Sequence, residues 1–190
     1  MPPDSIYVSK PRNISEYVKM AEKGARWFSL LDVSGLPLTP PSAIEDHFSK
    51  EEDRHLRRRL GSCANYTAEY VERMISVLEP TANALKGLGL LDRAYVYGFD
   101  ENPQSCEPQV RKLFGAVKAK WPSLRTVATL NWPQMPVDLP VDVWVLQYQE
   151  FDEETAKPWI AAGKQQFWYH CIVGFRQRQF PISHAICCKR

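Results

Sequence analysis

Asp100 and Glu101 stand side by side at the end of an apolar run, Ala94-Tyr95-Val96-Tyr97-Gly98-Phe99. Carboxylates at the carboxyl end of a strand stand where strand–helix folds bind ligands and do chemistry, although Asp-Glu pairs are also common without any such role. The run before them is aromatic and β-branched, as a buried strand should be. Asn102-Pro103 stops it, since proline has no N–H for a ladder and restricts the residue before it. Two charges placed where a buried strand leaves the core are costly to hold without a purpose or a partner.

Other polar and aromatic groups end other apolar runs. Asp32 ends one, Asn131 and Trp132 another, Gln147, Tyr148 and Gln149 a third, and Trp168, Tyr169 and His170 lie in a fourth. If these runs are parallel neighbouring strands, the groups converge on one rim, where repeated strand–helix folds bind ligands. Carboxylates, amides, a phenol and indoles together suit a sugar, whose hydroxyls need hydrogen-bond partners and whose apolar face stacks on aromatic rings. Each member has a plainer alternative. Asn131 before Trp132-Pro133 can form a turn. Trp132, Trp144 and Trp168 can all be core, and alternation points Trp144 inward. Tyr148 can be a half-buried strand residue, and His170 a structural histidine.

The elements that would position this rim are legible from periodicity. Residues 14–23 read as a helix, with Ile14, Tyr17, Val18 and Ala21 at helical spacing and Asn13 as its cap. A strand follows over 26–33, and then a proline-rich, charged stretch over 34–62. The best helix spans 65–86, with Tyr70, Val71, Met74, Ile75 and Leu78 on one face and Pro80 as a place to kink or split. The carboxylate strand comes next, then a helix over 108–120. Strands over 126–132 and 141–148, a short helix capped by Asp152, and a strand over 166–172 complete the pattern. Strands alternating with helices imply an α/β fold with a parallel sheet. An open doubly wound sheet is possible, but no glycine-rich phosphate turn follows any strand, and a piece of a barrel is the better reading. About five strands are too few to close an eight-stranded one, so the expectation is a partial (β/α)8 TIM-type barrel truncated at its ends. Residues 1–172 form that barrel piece and 173–190 a C-terminal tail without strand–helix pattern.

Bulk properties narrow the function classes. The chain has 190 residues, 44% hydrophobic and 24% charged, with a formal net charge of +2. That fits one globular domain and implies no strong field for nucleic acid or a membrane surface. The basic run Arg54 to Arg59 reads as a solvated segment balanced by Glu51, Glu52 and Asp53. No apolar stretch reaches the ~18 residues of a membrane span. The start, Met1-Pro2-Pro3-Asp4, lacks the apolar core of an export signal, so a cytoplasmic location is the default and the glycosylation-type triplets Asn13-Ile14-Ser15 and Asn65-Tyr66-Thr67 read as chance. Cys63, Cys106, Cys171, Cys187 and Cys188 are odd in number with no C-x-x-C spacing, so reduced thiols are expected and no zinc site. His47, His55 and His184 show no ligand spacing. No glycine-rich phosphate turn follows any strand, so no nucleotide and no other cofactor is expected.

The run Tyr95-Val96-Tyr97-Gly98-Phe99-Asp100-Glu101 resembles the strand-end motif of glycoside hydrolase family 123, whose activity is β-N-acetylgalactosaminidase. The Thr129-Leu130-Asn131 strand end, Val141 to Val145 and Phe167 to Cys171 are similar to the same pattern, which spans roughly residues 14–172. The resemblance explains the adjacency of the acids. Ordinary glycosidases set two carboxyls on opposite sides of the scissile bond, which neighbours on one strand end do not easily do. In substrate-assisted hydrolysis the sugar's own 2-acetamido oxygen attacks instead. The resemblance implies that Asp100 orients the acetamido group while Glu101 protonates the leaving oxygen and then activates water. It further implies Tyr148 as a donor to the acetamido oxygen and Trp168 as a stacking wall. Asn131 would contact a hydroxyl or Asp100, and Trp132 and Tyr169 would complete the binding rim. The expected partner is a glycan containing an N-acetylhexosamine. Family members usually carry a β-sandwich before the barrel and more sequence after it, so a non-catalytic remnant or carbohydrate-binding protein is the alternative expectation.

Overall fold

The computed structural model describes residues 11–32, 66–148 and 151–169. Within them the chain is an α/β protein with a five-stranded, wholly parallel sheet. The strands are β1 (Phe28–Asp32), β2 (Ala94–Asp100), β3 (Arg125–Thr129), β4 (Val143–Gln147) and β5 (Gln165–Tyr169). Their spatial order is their chain order. The helices are α1 (Ile14–Glu22), α2 (Ala68–Gly87), α3 (Glu107–Lys120) and α4 (Glu153–Ala161). The helix–strand alternation read from the sequence is present, with ends moved by one to three residues. The expected strand over 126–132 stops at Thr129, because Leu130 already turns the chain towards a proline-bounded loop.

Helix ends follow local chemistry. Asn13 caps α1 by accepting from the Ser15 N–H at 3.1 Å, and Thr67 caps α2 by accepting from the Tyr70 N–H at 3.1 Å. Asp152 does the same for α4 through the Thr155 N–H at 2.9 Å. Gly89, with φ of 67°, turns the chain after α2 in a conformation that side chains disfavour. Pro80 neither splits nor ends α2, which runs unbroken from Ala68 to Gly87. The buried stripe of Tyr70, Met74, Leu78, Ala82 and Leu85 continues past the proline and holds both halves on one core.

The helices pack on one side of the sheet. Tyr17 of α1 meets Phe28 at 5.2 Å between ring centroids, Phe114 of α3 meets Phe99 at 5.4 Å, and Trp159 of α4 meets Trp144 at 5.9 Å. Side chains of the other parity, among them Ser29, Tyr95, Tyr97, Val127, Val145 and Phe167, line an open trough of about 530 Å³ on the opposite side. Arg125 spans the amino-terminal end of that trough. Its guanidinium lies 3.9 Å from the ring centre of Trp27, ahead of β1, and 3.5 Å from Gln165 of β5, so both sheet edges reach one side chain on the middle strand. Behind the sheet, Asp142 accepts from the Thr126 N–H at 2.9 Å and from Lys118 at 2.8 Å, which pins the start of β4 to β3 and α3.

Cys106 is disulfide-bonded, contrary to the reduced state expected for it; its partner lies outside the described residues. An odd cysteine count excludes only complete pairing and leaves any one pair open. The stretch 34–62, His170 and the tail 173–190 also lie outside the described residues.

Candidate functional site

Strand alternation alone would put Phe99 beside Tyr95 and Tyr97 and send Asp100 to the helix side with Gly98. The structure does the reverse. Between Tyr97 and Asp100, β2 carries one residue more than β3 does between Val127 and Thr129. Phe99 at this bulge adopts φ of 61° and is fully buried against Tyr66 and Phe114. The extra residue flips the parity, so Asp100 emerges on the trough side. Glu101 follows with φ of 55°, and its N–H donates to the Thr129 carbonyl at 2.7 Å. Left-handed backbone at two non-glycine residues costs of order 1–2 kcal/mol each. The aromatic packing of Phe99 and the Glu101 N–H bond hold it in place.

The two carboxylates have different partners. Asp100 is exposed, and its Oδ1 accepts from the Tyr97 hydroxyl at 3.1 Å. That hydroxyl lies 2.7 Å from Thr129 Oγ1. Glu101 is half-buried. Its Oε1 accepts from Gln147 Nε2 of β4 at 2.8 Å and from the Tyr169 hydroxyl of β5. Burial, the bond to Glu101 and its charge push the Tyr169 phenol up to about 12, with Gln147 and Asn131 pulling the other way. Tyr169 therefore stays protonated and donates across the neutral range. Asn131 Oδ1 accepts from the Gln147 N–H at 3.2 Å and so fixes the base of the side chain that holds Glu101. Asp100, Glu101, Asn131 and Tyr169 thus meet at the carboxyl ends of the strands, on the open side of the sheet.

Three expected rim residues are placed elsewhere. Trp132 is 4% exposed and donates from Nε1 to the Asn102 carbonyl at 2.7 Å. It is a core residue that anchors the loop just after Glu101. Tyr148 and Trp168 pair with each other, ring centroids 5.1 Å apart, and are 49% and 40% exposed. Trp168 pairs in register with the buried Leu146, whereas Tyr169 pairs with Gln147. Register partners share a face, so Trp168 lies on the helix side and Tyr169 on the trough side. The aromatic pair is therefore not brought to Glu101. Sequence reasoning placed Gln147 among the strand-end groups without giving it a role, and did not single out Tyr97 or Thr129. All three carry the trough parity of their strands, and that parity was the signal available.

Among the described residues, no group of three or more His, Cys, Asp or Glu side chains is placed to hold a metal ion. No helix among them is long and apolar enough to cross a membrane. Neither carboxylate lines the trough itself, though Tyr97, which does, is bonded to Asp100. The carboxylates can exchange protons with a ligand held at the strand ends, and the flanking phenols, amide and hydroxyl can bond its polar groups. No protein-family model matches the sequence, and no curated protein matches it.

Proposed function

We propose that the chain supplies part of a (β/α)8 barrel of glycoside-hydrolase type that cleaves a β-linked N-acetylhexosamine, N-acetylgalactosamine foremost, by substrate-assisted retention. The observation that carries this reading is the bulge at Phe99, which turns Asp100 onto the open side next to Glu101 at the carboxyl ends of parallel strands. Barrel enzymes place their chemistry at that end. Strained backbone at such a point is a feature of functional sites. The barrel reading is supported by strands in chain order, helices on one side, a trough on the other, and the contacts of Arg125 with Trp27 and Gln165 near the two sheet edges.

In this mechanism Asp100 accepts from the acetamido N–H and stabilises the positive charge that forms as the acetamido oxygen attacks the anomeric carbon. Tyr97 and Thr129 hold Asp100 in place. Glu101 gives a proton to the departing oxygen, then takes one from the water that opens the oxazolinium. Gln147 and Tyr169 both donate to Oε1 and so fix the orientation of the carboxyl group. The test is substrate dependence. The p-nitrophenyl β-N-acetylgalactosaminide should be hydrolysed and the plain galactoside, which lacks the internal nucleophile, should not. A thiazoline mimic of the oxazolinium should inhibit competitively. Equal rates on both substrates would refute substrate assistance.

One observation favours a second reading, a carbohydrate-binding protein without turnover. Two donors on one Glu101 oxygen suit a fixed carboxylate that accepts from sugar hydroxyls. That reading predicts calorimetric binding of N-acetylgalactosamine with no hydrolysis.

A further inference from the structure

The geometry of the α1 cap, together with the state of Cys106, points to Asn13 as a site of asparagine-linked glycosylation, in a protein that folds in an oxidising compartment. Asn13-Ile14-Ser15 is an acceptor triplet, with no proline at its centre. Taken as sequence alone, such a triplet is weak. Two independent observations raise it.

The first is chemical access. Asn13 and Ser15 are both exposed. Asn13 uses its Oδ1 for structure, accepting from the Ser15 N–H at 3.1 Å and from Ser15 Oγ at 3.3 Å. Among the described residues, no bond engages its Nδ2. Glycosylation replaces one hydrogen on that nitrogen and leaves the carbonyl oxygen able to accept, so the helix cap survives modification. The buried contact of α1 is made by Tyr17, one turn away, so a glycan on Asn13 projects from the surface rather than into the core.

The second is redox state. Cys106 is disulfide-bonded and 1% exposed. Reducing compartments keep thiols reduced, whereas the secretory route forms disulfides and is also where asparagine-linked glycans are added. The co-reactant is an oligosaccharide carried on a polyprenyl diphosphate. A bond forms between Nδ2 and the anomeric carbon, the bond from that carbon to the diphosphate oxygen breaks, and the amide proton leaves with the diphosphate. The other triplet, Asn65-Tyr66-Thr67, has its asparagine outside the described residues, and the proposal concerns Asn13 alone.

The experiment uses the full chain isolated from its own source. The protein is alkylated without reductant, digested, and treated with peptide N-glycosidase in heavy-oxygen water. The expected result is complete conversion of Asn13 to a heavy-oxygen aspartate, with Cys106 recovered in a cross-linked peptide. An unmodified Asn13 peptide overturns the proposal, as does a Cys106 alkylated before reduction. In eukaryotic expression of a chain carrying Asn65→Gln, which removes the other triplet, Asn13→Asp and Ser15→Ala should each abolish the glycan-dependent gel shift. Asp keeps the cap, so a folded Asn13→Asp variant that retains the shift also overturns it.

Discussion

Replacing Tyr169 by Phe distinguishes a phenol that binds substrate from one that acts through Glu101. The structure has Tyr169 donating to Glu101 Oε1, beside Gln147 at 2.8 Å on the same oxygen. A hydrogen bond to an ionised group contributes about 1.5–3 kcal/mol. Glu101 is half-buried and keeps its Gln147 bond, so the lower end applies. About 1.4 kcal/mol corresponds to about one pH unit. The lost donor favoured the ionised carboxylate, so its removal makes the acid hold its proton to higher pH. The alkaline limb of kcat/KM, which reports loss of the acid's proton, should therefore move up by about one unit. The assay is the pH profile of p-nitrophenol release for wild type and Tyr169→Phe. A uniform fall in rate with an unmoved limb would refute the positioning role and return Tyr169 to substrate contact.

Three further outcomes follow from the packing. Trp132→Phe should lower stability by about 2 kcal/mol in urea unfolding, from a lost buried hydrogen bond and a smaller ring; unchanged stability would mean that Trp132 is not an anchor. Tyr70→Phe should raise stability by about 1 kcal/mol, because the Tyr70 hydroxyl is buried without a partner among the described residues; a lower urea midpoint would contradict this. Stability should fall as pH rises between about 10 and about 12, because the Tyr169 phenol is raised from 10.0 to about 12 and Tyr17 and Tyr70 shift the same way. Unfolded phenols ionise first, so the contribution of Tyr169 is complete below the lower value and gone above the higher. Tyr169→Phe should flatten part of that decline in thermal unfolding scans.

The order of elements was legible because each carries its own period. The Tyr70, Met74 and Leu78 stripe outweighs Pro80, and Asn13 and Asp152 mark helix starts by their side-chain acceptors. The convergence of Glu101, Asn131 and Tyr169 was legible from strand ends alone. The direction of Asp100 was not, since it depends on a bulge at Phe99, and nothing in the side chain of a phenylalanine announces a positive φ. Trp168 was a different failure. Adjacent strand residues face opposite sides, so Trp168 and Tyr169 could not both line one rim, and period two already said so. Trp132 needed knowledge of a partner, Asn102, that is distant in sequence.

The acid role of Glu101 is tested most directly by hydrolysis of p-nitrophenyl β-N-acetylgalactosaminide by wild type and by Glu101→Gln. Glutamine keeps the size and can still bond Gln147 and Tyr169, but it carries no transferable acid proton. The account predicts turnover by wild type and a loss of about 10²–10⁴-fold in the variant. Undiminished turnover by Glu101→Gln would contradict it.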